Sequence, residues 1–517
     1  MGYTRWMHKC CLERIVSLSF LVAPLLLAFL FAPATADSPS DPKRAAFEVI
    51  DRNAEQIATV GDVLYYFGEP GMQEYESSKY LKATLEQIGF KVELGGAGLP
   101  TNVWATWGSG KPVIAIATEM DSLPEGSQTP GSIPRKPLVE GAPGHMEGHN
   151  VMAAVAVGTA HVVKKAMEQF KIPGTIVVSI GPAEEQLMSR PYLVRDGYFK
   201  DVDAAIITHI GDSLGTSYDL LNYALIGAKF NFKGRTAHGG VNPWDGKDAV
   251  DAVVLMDIGF DKLREHLRPT YRGHRTITNG GVQPNIIPDT GQIWWFIRDA
   301  TGPWAKENFD KLVNIGKGAA LMTGTTMEIE SYGAAWPSLG NKAIAEAIQK
   351  NADMVGMPKW TDGEIKFAKE LQKSLERKEE GLPTKVLPLQ AGRQNSSSND
   401  IGDVTWVVPT GSVRFPSAVP GVQAHHWTAG ITPTMSIAHK GAVVGAKVIA
   451  ASVLDLLTSP ELRAAAKKQF EEDTKETKYF SLLPPGAKPP LDLNKEMMDK
   501  YRPAMRKFYL NKKAEFK

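Results

Sequence analysis

Ala224-Leu225-Ile226-Gly227-Ala228-Lys229-Phe230-Asn231-Phe232 reads as an apolar strand, and the elements after it decide the fold. A helix is expected over residues 248–267 and strands over 272–278 and 292–298. A second helix over 303–323 and a strand over 326–332 complete the set. That order, β-α-β-β-α-β, is the order of a ferredoxin-like module. Its length of about 110 residues is enough for a small domain.

Outward from the module, the pattern on both sides is of another kind. Before it, helices are expected over residues 47–67, 72–90 and 150–170. Short Val- and Ile-rich strands fall at 102–107, 112–118, 175–180 and 204–208. After it come a helix over 341–355, a strand over 404–408 and a helix over 437–458. Buried strands alternating with helices argue for an α/β layer with a mostly parallel sheet. The fold class is α/β in two domains: residues 37–223 and 335–460 form the larger one, and residues 224–334 interrupt it. The charged stretch 362–380 reads as a solvated helix. Residues 461–517 read as a charged helical extension packed outside the core.

The 517 residues are 43% apolar and 22% charged, globular values that exclude wholesale disorder and a polytopic membrane protein. A net charge of +1 gives no electrostatic case for nucleic-acid binding. Residues 1–36 read as an export signal. They hold basic Arg5, Lys9 and Arg14, an apolar run from Ile15 to Phe31, and the small-x-small site Ala34-Thr35-Ala36. That run is short for a membrane span, which needs about 20 residues, and it contains Pro24. Cleavage after Ala36 would give an exported, periplasmic protein with no stable membrane insertion. Both cysteines, Cys10 and Cys11, lie in this segment. The remainder therefore has no disulfide, no thiolate metal site and no thiol nucleophile.

Polar chemistry gathers where strands end, as ligands of open α/β sheets do. Asp121 stands in Asp121-Ser122-Leu123-Pro124, just past one strand. Gly144-His145-Met146-Glu147-Gly148-His149-Asn150 opens a helix. Gly181-Pro182-Ala183-Glu184-Glu185 and Thr208-His209 come at the ends of two more strands. Singly, each of these residues is more often structural or solvated than a ligand, and Glu184-Glu185 also suits a plain acidic helix start. The string H-E-x-x-H is absent, as is a complete dinucleotide loop. Carboxylate and imidazole chemistry remains, and it suits Zn²⁺ or Mn²⁺.

In order, these motifs, then Arg235-Thr236-Ala237-His238-Gly239, Pro284-Asn285-Ile286-Ile287-Pro288-Asp289 and a late histidine, resemble the M20 metallopeptidases, most closely their amidohydrolase branch. Residues 396–409 and His425-His426-Trp427 resemble the group of B-type subunits of p-aminobenzoyl-glutamate hydrolase. The resemblance covers about residues 45–460. It implies a zinc-exopeptidase-like catalytic domain interrupted by a ferredoxin-like lid and dimerisation domain. By position it implies Glu184 as general base, and Glu185 with His425 as ligands of one metal, His426 being the alternative. His149 and His209 would hold the other metal, and Asp121 would orient the site. His238 would reach the partner subunit's active site, and Asn285 would lie near the substrate. Glu147 stands where the amidohydrolase branch carries a bridging cysteine and other branches an aspartate. A carboxylate can bridge through its two oxygens. Arg298, on a module strand, is read as a clamp for a substrate carboxylate, although exposed arginines on strands are common. Trp294, Trp295 and Trp336 are read as core or as an aromatic pocket, and His161 as a helix-surface residue.

The expected reaction is metal-dependent hydrolysis of the amide bond of an N-acyl amino acid, an aroyl one such as p-aminobenzoyl-glutamate included. Two divalent cations, zinc before manganese, would activate water, with Glu184 taking its proton. The expected partners are a small N-acyl amino acid or dipeptide and a second copy of the chain, or a different subunit. The alternatives are an exported dipeptidase or aminoacylase of the same family, and a binding protein of this fold that has lost its metals.

Overall fold

A computed structural model describes residues 41–517, so the export signal read over residues 1–36 lies outside the described residues. The chain begins with α1 (Asp41–Arg52), α2 (Ala54–Phe67) and α3 (Tyr75–Gln87). The sequence suggests one helix where α1 and α2 stand. They part at buried Asn53, whose amide nitrogen donates to the Val49 carbonyl at 2.8 Å and the Lys517 carbonyl at 3.0 Å.

The larger sheet is built from β1 (Lys91–Leu94), β2 (Val103–Ser109), β3 (Val113–Glu119), β4 (Gly174–Gly181) and β5 (Ala204–Gly211), with a sixth strand from much later in the chain. Between β3 and β4 runs α4 (His149–Phe170), and between β4 and β5 the short α5 (Arg190–Arg195). The strand β6 (Ser217–Leu220) then leads into the inserted domain. That domain runs β7 (Ala224–Lys233), α6 (Ala249–Leu263), β8 (Arg272–Asn279), β9 (Thr290–Asp299), α7 (Gly302–Thr323) and β10 (Thr326–Ala335). This is the β-α-β-β-α-β order read from the sequence. Its sheet is antiparallel throughout, in the order β10-β7-β9-β8, which leaves β8 as an edge. Phe230, Phe260, Ile293, Trp295 and Leu312 fill its core. Trp295 and Trp336 are therefore packing residues, and the Trp336 indole N–H donates to the Phe480 carbonyl at 2.8 Å.

The return path holds β11 (Leu339–Gly340), α8 (Lys342–Val355), α9 (Asp362–Ser374), β12 (Gln390–Ala391), α10 (Gly402–Thr405), β13 (Thr410–Pro416), α11 (Ser436–Thr458), α12 (Pro460–Asp473) and α13 (Lys495–Met505). β13 completes the larger sheet, whose order is β1-β2-β4-β3-β5-β13. β4, β3, β5 and β13 are parallel, and β2 and β1 are antiparallel at one edge. A small sheet, β11-β6-β12, ties the entry and exit of the inserted domain to the chain before β13. α4 and α11 cover one face of the larger sheet. α11 is long and apolar enough to cross a membrane, but most of it is buried in this core.

Three readings are corrected. The apolar run 404–408 is not a strand. It begins inside α10, where the Asn399 side chain accepts the Ile401 N–H at 2.8 Å, and the Val404 carbonyl then accepts the N–H groups of Val407 and Val408. The true strand, β13, starts just beyond Pro409. The charged stretch 362–380 is helical only to Ser374, and it buries Ala368 and Leu371. His161, read as a surface residue, is buried, with its Nε2 at 3.0 Å from the Lys517 carbonyl.

Candidate metal centre

The carboxyl ends of β3, β4 and β5, together with the loop after β13, converge at one edge of the larger sheet. Local backbone geometry aims their side chains. Gly148 separates Glu147 from His149 at φ +84°, and a Cβ there would meet Ile210 Cδ1 at 2.5 Å. Only glycine fits that turn. The Glu184-Glu185 turn lies between two left-handed residues, Ala183 (φ +51°) and Leu187 (φ +58°). Buried Glu74 holds this strained turn by accepting the Ala183 N–H at 2.8 Å. His425 is also left-handed, at φ +60°, and its N–H donates to the Met146 carbonyl at 3.2 Å. The late histidine is thus docked on the loop that carries Glu147.

Glu147, His149 and Glu185 present ligand atoms within 4.8 Å of one another, and so do Glu119, His149 and His209. Glu147 reaches two histidines, with Oε1 at 3.4 Å from His209 Nε2 and Oε2 at 2.6 Å from His425 Nε2. His425 Nε2 is also 3.2 Å from Glu185 Oε2. Asp121 accepts the His149 Nδ1–H at 3.1 Å, and its second oxygen accepts the Glu185 N–H at 3.0 Å. His209 donates from Nδ1 to the Ile210 carbonyl at 2.9 Å, which turns Nε2 toward the cluster. Glu184 Oε2 stands 3.8 Å from His149 Nε2. His426 is turned away, with its Nδ1 paired to the Thr428 hydroxyl at 2.8 Å.

The charges at this edge press on one another. Burial pushes Glu184 well above the usual carboxylate range, and Glu119 and Glu185 push it further. Burial raises Glu185 to about 8, and Glu147 and Asp121 add to the rise. Burial also works to raise Glu147, but hydrogen bonds from His209 and His425 hold it far below the usual range. For His149, burial favours the neutral ring, yet the hydrogen bond to Asp121 outweighs it and raises the pKa. Buried carboxyl groups that repel one another, with one of them held charged by neighbouring imidazoles, make a site that cations satisfy. His149 Nε2 supplies the clearest sign of fit: it is fully buried and, among the described residues, has no hydrogen-bond partner. The donors are imidazole nitrogens and carboxylate oxygens, the set that takes Zn²⁺ or Mn²⁺.

Glu119 was not among the residues expected from sequence. The signal lay in Thr118-Glu119-Met120-Asp121, at the end of β3, but nothing local marks Glu119 as aimed at His149. Its Oε2 is held by buried Arg190 at 2.8 Å, and Arg190 is held from its other side by Asp400 at 3.0 Å. His238 and Asn285 lie on adjoining segments of the inserted domain, where the Gly239 N–H donates to the Asn285 carbonyl at 2.9 Å, and neither lines a cavity at the cluster. Arg298 does not line one either. Its Nε donates to Ser398 Oγ and its Nη1 to His274 Nδ1, both at 3.2 Å. Two cavities, of about 390 Å³ and 320 Å³, share His209 in their walls.

The profile of peptidase family M20/M25/M40 matches residues 115–386. The B-type subunit of p-aminobenzoyl-glutamate hydrolase from Escherichia coli (strain K12) is 30% identical over 469 residues, which cover 86% of this chain and 97% of that protein. The chain belongs to the M20 peptidase family. It is a metallo-amidohydrolase or metallopeptidase of that family, and its two clusters of potential ligands are consistent with a dinuclear site. The Xaa-Arg dipeptidase of Mus musculus is 27% identical over 445 residues, covering 83% of this chain and 92% of that one. An aminobenzoyl-glutamate utilization protein from Klebsiella pneumoniae superposes with a TM-score of 0.56 at 17% identity, over 79% of this chain and 97% of that one. A dinuclear metal-binding M20 peptidase from Bacillus subtilis gives 0.51 at 17% identity, over 79% of this chain and 100% of that one. At these identities the structural likeness speaks for the fold alone.

Proposed function

We propose that this family member hydrolyses the amide bond of an N-acyl amino acid, aroyl amino acids of the p-aminobenzoyl-glutamate kind included. The observation that carries the reading is Glu147, with one oxygen facing His209 and the other facing His425 and, through it, Glu185. Glu185 and His425 would hold one cation, His149 and His209 the other, and Glu147 would bridge them. When bound, two divalent cations supply Lewis-acid charge and make water acidic enough to lose a proton near neutrality. Glu184 is not needed as a ligand. It would take the proton of the attacking water and deliver it to the leaving amine. Asp121 fixes the His149 tautomer and ties it to the backbone of Glu185. Zinc is the proposed ion, with manganese as the substitute.

The inserted domain is proposed as a ferredoxin-like lid through which two copies pair. The exposed apolar side chains of Val254, Ile258 and Ile277, on α6 and edge strand β8, support this. Pairing would let His238 and Asn285 act in the neighbouring copy's site, His238 as an N–H donor to the substrate carbonyl oxygen. Residues 1–36 are proposed to direct export to the periplasm and to be removed after Ala36. Hydrolysis of dipeptides is the second reading, favoured by the likeness to Xaa-Arg dipeptidase.

The test is metal content and hydrolysis together. Zinc-reconstituted protein is expected to hold about two equivalents per chain and to release amino acid from N-acyl amino acids, with activity lost to chelator and regained with zinc. Two bound equivalents with no hydrolysis of N-acyl amino acids or dipeptides would refute the reading.

A further inference from the structure

Arg414, like His209, lines both cavities. In the parallel pairing of β13 with β5, Arg414 stands opposite His209, so the two side chains leave the same face of the sheet. The guanidinium is exposed, and among the described residues it has no ion-pair partner. The cavities it joins differ in chemistry. The one of about 390 Å³ has the apolar lining of Met146, Ile210, Leu387, Pro388, Val419 and Val422, beside the carboxylates of Glu147 and Asp212. The one of about 320 Å³ is walled by Asn222, Asn395, Asn399, Ser397 and a second guanidinium, Arg393. The one acid in that polar wall is Glu119, which Arg190 already holds at 2.8 Å. Arg393 is set by its neighbours. The Gly392 N–H donates to the Tyr218 carbonyl at 2.6 Å, and the Gln394 amide donates to the carbonyls of Asn222 and Ala300 at 2.9 Å and 2.7 Å. Among the described residues Arg393 has no ion-pair partner either.

We propose that Arg414 determines specificity by clamping the α-carboxylate of the substrate's amino-acid half. Arg393 takes the side-chain carboxylate of a dicarboxylic amino acid, and the apolar cavity takes the acyl group. This assignment rests on the amide hydrolysis proposed above. The α-carboxylate carbon is two bonds from the scissile nitrogen, so its clamp has to stand beside the metal ligands, as Arg414 does across from His209. A side-chain carboxylate reaches further, and Arg393 lines only the polar cavity. A guanidinium offers paired N–H donors that match a carboxylate in plane. An amino-acid half bearing a cation would face two like charges there. Arg298, expected to clamp the carboxylate, is engaged by Ser398 and His274 instead.

The experiment compares N-benzoyl-glutamate with N-benzoyl-leucine on zinc-reconstituted wild type, Arg414→Met, Arg414→Lys and Arg393→Met. Arg414→Met is expected to lower kcat/KM for both substrates by roughly 10–100-fold, mainly through KM and at unchanged zinc content, the loss of one charge-assisted pair. Arg414→Lys should recover part of it. Arg393→Met should lower kcat/KM for the glutamate substrate only. Calorimetric titration of N-benzoyl-glutamate into zinc-loaded Glu184→Gln, with and without Arg414→Met, reads the same loss as binding, free of turnover. An active wild type that prefers the leucine substrate, or whose two arginine variants match it on both, overturns the assignment. A zinc-loaded wild type that neither binds nor cleaves either compound refutes the hydrolysis reading itself.

Discussion

Glu147 Oε2 and His425 Nε2 lie 2.6 Å apart although 278 residues separate them in the chain. The other Glu147 oxygen faces His209 at 3.4 Å. A single carboxylate therefore links both groups of potential ligands. Glu147→Ala is expected to reduce zinc from about two equivalents to one or fewer. Glu147→Asp and Glu147→Cys keep a bridging atom and should retain two. Elemental analysis of the reconstituted variants decides this, and two equivalents in Glu147→Ala would remove the bridge.

The neighbouring histidines make a sharper comparison. His425 contacts Glu147 and Glu185, whereas His426 pairs with the Thr428 hydroxyl. His425→Ala should lose zinc affinity by at least 10-fold, the scale on which even outer partners of ligands act. His426→Ala should bind zinc as the wild type does. Competition with a chelating dye measures both, and equal losses would make the adjacent pair indistinguishable as ligands.

The parts of this centre that sequence reveals are those carried by short strings. Glu147 and His149 lie two apart around a glycine, and Glu184-Glu185 comes directly after a strand, so their grouping is legible in the sequence alone. Glu119 could not be read this way, because what aims it is Arg190, and Arg190 is itself fixed by Asp400, 210 residues further on. Arg414 was equally silent. Its meaning comes from register, β13 lying beside β5 with Arg414 opposite His209. The mistaken strand at 404–408 has the same origin. Periodicity sees five residues rich in valine, but the side chains of Asn399 and Asp403 direct the backbone into a helical turn against Trp336 and Tyr479. The β-α-β-β-α-β domain was legible to within a few residues because its central strands and its two helices bury one face and carry their own period.

Glu184 separates chemistry from metal binding. It is buried beside His149 and Glu119 and is spare to the ligand set proposed here. Glu184→Gln keeps the shape and removes the base. It is expected to bind zinc at wild-type stoichiometry while kcat falls by roughly 10²–10⁴, the range for a general base. Steady-state kinetics with parallel metal analysis tests this, and wild-type turnover in the variant would place the base elsewhere.

Asp403 gives a pH signature remote from the metal centre. It is fully buried, accepting the Tyr479 hydroxyl at 2.7 Å and the Trp336 N–H at 2.9 Å. Burial outweighs these hydrogen bonds and lifts its pKa from 3.8 to about 7. The folded protein therefore keeps a proton that the unfolded chain releases at lower pH. Asp403 contributes its full stabilisation below the unfolded value, and that contribution is lost as pH rises from about 4 to about 7. At about 1.4 kcal/mol per pH unit of separation, the loss is on the order of 4 kcal/mol. Asparagine cannot ionise, yet it can still accept the Trp336 N–H while its amide faces the Tyr479 oxygen. The stability of Asp403→Asn relative to wild type should thus rise across this window as the wild type alone is destabilised. Chemical denaturation of both proteins at half-unit steps from pH 4 to 8 measures the difference, and the other titrating groups cancel between the two. A difference that stays flat across the window would mean that the buried carboxyl titrates at its ordinary value.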